Sequence, residues 1–65
     1  MADTVELRLN LVAETAMAYG ITEDDPDDPV IWLPKSRVEA LDRAAVGTVV
    51  RFDVPEWLAI DKGLV

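Results

Sequence analysis

Cysteine and histidine are both absent from this 65-residue sequence. Without cysteine there is no disulfide, and without either residue a structural zinc site has no ordinary ligand set. The same absence leaves no thiol nucleophile and removes the commonest general base. Three glycines in the whole chain leave no glycine-rich phosphate loop. No apolar run approaches the roughly 18 residues that span a bilayer, and the Met-Ala-Asp start lacks a basic signal region. A cytoplasmic protein without a membrane partner is expected. Basic residues are also scarce, six against 13 acidic, and they stand singly among acids, whereas a nucleic-acid binder concentrates them. Direct nucleic-acid binding is therefore not expected.

What is present is a hydrophobic half and a strong negative charge. Hydrophobic residues make up 51% of the chain, too many for a disordered acidic tail, and the net charge is −7. So short a chain forms one domain, residues 1–65, and buries only about 60% of the surface it exposes when unfolded. Stability must rest on packing, with a partner chain as a further source. The charge repels nucleic acid and anionic membranes and attracts basic surfaces; its plainer role is solubility.

The densest apolar run, Val30, Ile31, Trp32 and Leu33, ends at Pro34, which cannot donate to a sheet ladder. It reads as a strand carrying much of the core. From residue 5 to 21 the odd positions are mainly apolar, including Val5, Leu7, Leu9, Leu11, Met17, Tyr19 and Ile21. That period of two indicates strand, with an interruption at 13–16 marking a bulge, a bend or two successive strands. A helix over 11–18 is the competing reading, from the propensities of alanine, leucine, glutamate and methionine. Residues 22–29 hold five carboxylates and two prolines and form an exposed loop. The ligand spacing and bend glycine of a calcium loop are missing there, so no metal is expected.

Ser36, Arg37, Val38 and Glu39 fit a capping box for a helix continuing towards Gly47; the same stretch also permits a short strand over 37–41 and a turn. Residues 48–54 are a clear strand with Val50, Phe52 and Val54 on one face. Pro55, Glu56, Lys62 and Gly63 are placed as start and stop signals of a helix of about eight residues, on which Trp57, Ile60 and Leu64 share a face. The expected core is Leu7, Leu9, Trp32, Phe52, Val54, Trp57 and Ile60. The expected fold is α+β: a small antiparallel sheet of three or four strands with the short C-terminal helix packed on it.

No catalytic constellation emerges, no cofactor is implied, and Thr15, Lys35 and Ser36 read as structural or solvent-facing. Paired carboxylates need a cleft that shifts one pKa, for which so small a domain has little room. Carboxylates on a sheet instead recur every second residue, about 6.6 Å apart along one face, and can occupy a lysine and arginine cluster that otherwise receives duplex DNA. The residues expected to do so are Glu6, Glu14, Glu23, Asp24, Asp25, Asp27, Asp28, Glu39 and Asp42, with Asp53 and Asp61 as further contributors.

The residues Thr15-Ala16, Ile31-Trp32-Leu33-Pro34-Lys35-Ser36, Val54-Pro55-Glu56-Trp57-Leu58-Ala59 and Lys62-Gly63-Leu64 together resemble a family of small phage and mobile-element proteins. In that family a Trp-Leu-Pro-Lys-Ser run leads through further strand to a proline-initiated terminal helix, and this implies a hairpin over 37–54. Size and acidity also resemble type I-C anti-CRISPR proteins, double-stranded DNA mimics that keep the Cascade surveillance complex from target DNA. The resemblance implies the DNA-binding surface of Cascade as partner and no cofactor; it supplies no residue-level motif. The rival reading is a phage or plasmid interaction module, monomer or homodimer, working through an apolar or sheet-edge surface. An antitoxin-like regulator would need a basic reading element that the chain lacks.

Overall fold

The structure, a computed structural model, describes residues 3–64. The chain is α+β: strands β1 (Thr4–Glu14), β2 (Ala18–Thr22), β3 (Ile31–Pro34), β4 (Glu39–Ala40) and β5 (Thr48–Pro55) precede a helix α1 (Glu56–Asp61). The strands form one antiparallel sheet in the order β3-β2-β1-β5-β4. The strand count exceeds expectation because β4, only two residues long, adds an edge.

The long alternating stretch resolves into two strands. Thr15 makes the turn between them: its hydroxyl accepts the Met17 and Ala18 N–H groups, and its own N–H donates to the Ala18 carbonyl at 2.9 Å. Val12 sits at a bulge between Leu11 and Ala13, so the residues that follow exchange faces. Before the bulge, odd residues point to the core; after it, Glu14 pairs with Tyr19 and lies on the core side of the rim.

Between β3 and β5 the hairpin wins over the helix. Arg37 N–H donates to the Pro34 carbonyl at 3.0 Å, closing a turn where the capping box was expected. Glu39 and Ala40 then pair with Asp53 and Phe52, which buries Val38. A free helix over 37–47 would have left that edge of β5 bare.

The core lies on one side of the sheet: Leu9, Leu11, Ile21, Leu33, Val50, Phe52 and Val54 point inward and meet Val38, Leu58 and Ala59. Leu7 is half-buried against it, and Tyr19 stacks at 5.1 Å, tilted, on Phe52. Three expected core residues are not in it. Trp32 is 44% exposed because Ile31 and Leu33 take the inward positions of β3, leaving the indole on the opposite face. Gly20 seats it there, since a Cβ at that position would lie 3.0 Å from the Trp32 ring. Trp57 and Ile60, both 58% exposed, face outward because β5 runs into α1 with no intervening loop, and this fixes Leu58 and Ala59 as the sheet-facing pair.

Pro55 is consequently the cap residue rather than the first helical one, and α1 has six residues. It ends at Gly63 in the left-handed region, φ +72°, where Gly63 N–H donates to the Ile60 carbonyl and Leu64 N–H to that of Ala59. This double closure is a Schellman motif. Leu64 therefore leaves the helical phase that aligned it with Trp57 and folds back onto the core.

Candidate acidic interface

The face of the sheet away from the core carries the charge. Register, more than strand sequence, assembles it. Glu6 stands directly opposite Asp53, and Asp53 opposite Glu39, so three adjacent strands place three carboxylates side by side. Strands lie about 4.8 Å apart, well inside the roughly 10 Å over which 0.1 M salt screens charge. Like charges directly opposite each other are destabilising, a cost that the attraction of Glu6 to nearby Arg51 partly offsets.

The next row is cationic. Arg8 faces Arg51, and Arg51 is held by Asp42 through a two-pronged pair at 2.7 and 2.9 Å. The Arg51 N–H also donates to the same carboxylate at 3.1 Å. The guanidinium, then the backbone N–H, hold the Asp42 carboxyl down at about 2, and Asp42 in turn raises the Arg51 guanidinium above its ordinary value. Asp42 is thereby neutralised as a free charge and works as a clamp on the edge of β5.

Glu23, Asp24, Asp25, Asp27 and Asp28 occupy the exposed loop between β2 and β3. The loop is internally braced: Asp27 N–H donates to the Asp25 carboxylate at 2.9 Å, Asp25 N–H to that of Asp28 at 3.3 Å, and Asp28 N–H to the Asp25 carbonyl at 3.0 Å. Asn10, on the outer face, donates to the Thr22 hydroxyl and to the Glu23 carbonyl, tying the loop's start to that face. Glu23, Asp24 and Asp28 border an open depression with Pro29 and Ile31. Among the described residues, no group of three or more acidic side chains is arranged to hold a metal ion.

Of the nine residues expected in the interface, register sets Glu6 and Glu39 in one row of the outer face, while the five loop carboxylates stand beyond the Arg8–Arg51 row, at the Asn10 end of that face. Asp42 joins them spatially but is paired. Glu14 does not join: the bulge turns it to the core-side rim, where Lys35 binds it at 2.6 Å and also lies 5.0 Å over the Tyr19 ring. The member that strand sequence undervalues is Asp53, the middle of the row. Only the pairing of β5 with both β1 and β4 reveals its place.

An apolar region borders this charge. Trp32 and Val30 are exposed on the loop side of β3, and Met17, 78% exposed, lies with Trp32, Pro34 and Lys35 around a shallow cleft. Among the described residues no helix is long and apolar enough to cross a membrane. Comparison of the chain with protein-family models, with curated proteins and with solved structures finds no match.

Proposed function

We propose that the protein is a stoichiometric inhibitor that imitates duplex DNA and occupies the basic surface where a nucleic-acid-binding complex receives its target. The observation that carries the reading is the row of Glu6, Asp53 and Glu39, held by register across three strands on the face to which Asn10 ties the acidic loop. A surface that must receive phosphates is lined by lysine and arginine, and a fixed set of carboxylates competes for it by pairing with those same cations. No turnover and no cofactor are involved. The resemblance to type I-C anti-CRISPR proteins names the Cascade DNA-binding surface as the target, which puts the site of action in the bacterial cytoplasm.

The test is competition: purified type I-C Cascade, labelled target duplex and increasing protein at two salt concentrations. Displacement near one protein per complex, weakening as salt rises, is the expected result. DNA binding untouched at both salts overturns the Cascade assignment. A second reading, contact through an apolar surface, is favoured by the exposure of Trp32, Val30 and Met17, of which Trp32 and Met17 line one cleft. It predicts partner binding that resists salt and is lost on Trp32→Asp.

A further inference from the structure

The unpaired N–H and C=O groups of a sheet edge invite another strand, and native sheets blunt such edges. Two edges here are largely blunted. At β3, the donation of Lys35 N–H to the Met17 carbonyl turns Trp32 and Pro34 outward; Pro34 has no N–H, and its carbonyl already accepts from Arg37. At the other end β4 is two residues long, and beyond it Asp42 and Leu41 take up the outward N–H and carbonyl of Arg51.

A third edge lies inside the sheet and is open. β1 pairs with β5 from Thr4 to Leu11, but β2 covers its other side only from Asn10 onward. Glu56 N–H donates to the Asp3 carbonyl at 2.9 Å and Gly47 N–H to that of Leu11 at 2.7 Å, so odd residues of β1 address β5. The backbone groups of Thr4, Glu6 and Arg8 therefore face the uncovered side. The loop leaves the sheet at Glu23, and among the described residues no backbone hydrogen bond from it reaches those three. All three are exposed, and neither proline nor bulge interrupts residues 4–9.

We propose that residues 4–8 of β1 form a docking edge for an extended basic segment of the partner protein. The inference rests on the acidic-interface reading and gives the partner's contact a form. An added strand would place the side chain opposite Glu6 at the end of the row of three carboxylates, where cross-strand pairing selects lysine or arginine. Its neighbours on either side would lie beside half-buried Val5 and Leu7, which selects apolar residues. A second copy of the chain could supply the backbone bonds, but it brings its own net charge of −7 against the same face.

The experiment follows amide exchange by NMR at low salt with millimolar acetyl-Thr-Val-Lys-Val-Thr-amide and with its Glu counterpart in place of Lys. The Lys peptide is expected to slow exchange at Glu6 and Arg8 at least threefold, and the Glu peptide to leave it unchanged. Arg8→Pro removes an outward N–H at a position where proline is tolerated, and also removes a positive charge; it should abolish the protection, whereas simple attraction predicts tighter binding. Glu6→Lys keeps the strand and should reverse the peptide preference. Shifts confined to residues 23–28 without slowed exchange at Glu6 and Arg8 overturn the docking edge while leaving the acidic reading standing. Those amides already slow in the free protein, with a dimer by sedimentation, would make a second copy the occupant and overturn it as well. Failure of the Lys peptide to bind overturns the edge alone; the acidic reading stands or falls on displacement of duplex.

Discussion

The two faces of this sheet are built from the same strands but obey different rules. On the inner face, neighbours across strands are interchangeable apolar groups, and alternation within each strand nearly suffices to say what is buried. On the outer face, meaning lies in which side chain stands opposite which, because a carboxylate beside an arginine is a clamp and one beside two carboxylates is a patch of field. Sheet registry is thus a packing variable on one side and an electrostatic one on the other.

The sharpest way to break the comparison is to truncate one aromatic on each face. Phe52→Ala empties a fully buried site and should cost about 3–5 kcal/mol, measured by urea denaturation. So small a domain has little more than that to lose, so unfolding at room temperature is the expected extreme. Trp57→Ala, on an indole 58% exposed, should cost only about 1 kcal/mol. Equal costs would place Trp57 in the core after all and undo the assignment of α1's faces.

Reversing Asp24, Asp25, Asp27 and Asp28 to lysine tests the other side. Competition for DNA should fall steeply, by about tenfold for each 1.4 kcal/mol of attraction lost, while the denaturation midpoint moves little, because the loop contributes nothing to the buried core. Unchanged competition with a folded quadruple variant would reduce the acidity to solubility.

These effects also show which parts could be read from residues alone. The fold class, the strand through Phe52, the acidic loop and the position of Gly63 are local signals, and they were legible. Trp32 was not, because a run of four apolar residues is compatible with either parity; pairing of Leu33 with Tyr19 decides which of them points inward. The predicted face of Trp57 includes Leu64, which the Schellman closure removes from the helix, and the direct run of β5 into α1 turns Leu58 and Ala59 to the sheet in its place. The alternation that places Glu14 in the interface is reversed by the bulge at Val12. In each case a single long-range or irregular backbone feature overrode a sound local period. The row of three carboxylates belongs to the same class, since its members lie far apart in the sequence.

Neutralising the middle of that row gives a smaller effect of opposite sign. Asp53→Asn removes a charge flanked on both sides by like charges and should stabilise the fold by roughly 0.2–1 kcal/mol, more at low salt than at high. If Asp53→Asn destabilises equally at both salts, the row is not under mutual repulsion and its charges cost the fold nothing.

The smallest effect isolates a carboxylate on the same face that is paired instead of repelled. Asp42 has a folded-state pKa of about 2 against an ordinary 3.8, so its contribution to stability is fully present above about pH 4 and is lost as pH falls through 2. The Arg51 guanidinium, raised by the same contact, keeps its charge throughout, so no matching loss arises on the alkaline side within the ordinary range. The midpoints of the native protein and of Asp42→Asn should therefore differ by a constant amount from pH 5 to 7 and converge towards pH 2. Convergence would identify the charge of Asp42, more than the shape of its side chain, as what closes the β5 edge. A gap that persists at pH 2 would assign the difference to the neutral hydrogen bonds at Arg51, and the outer face would then hold its edge by geometry alone.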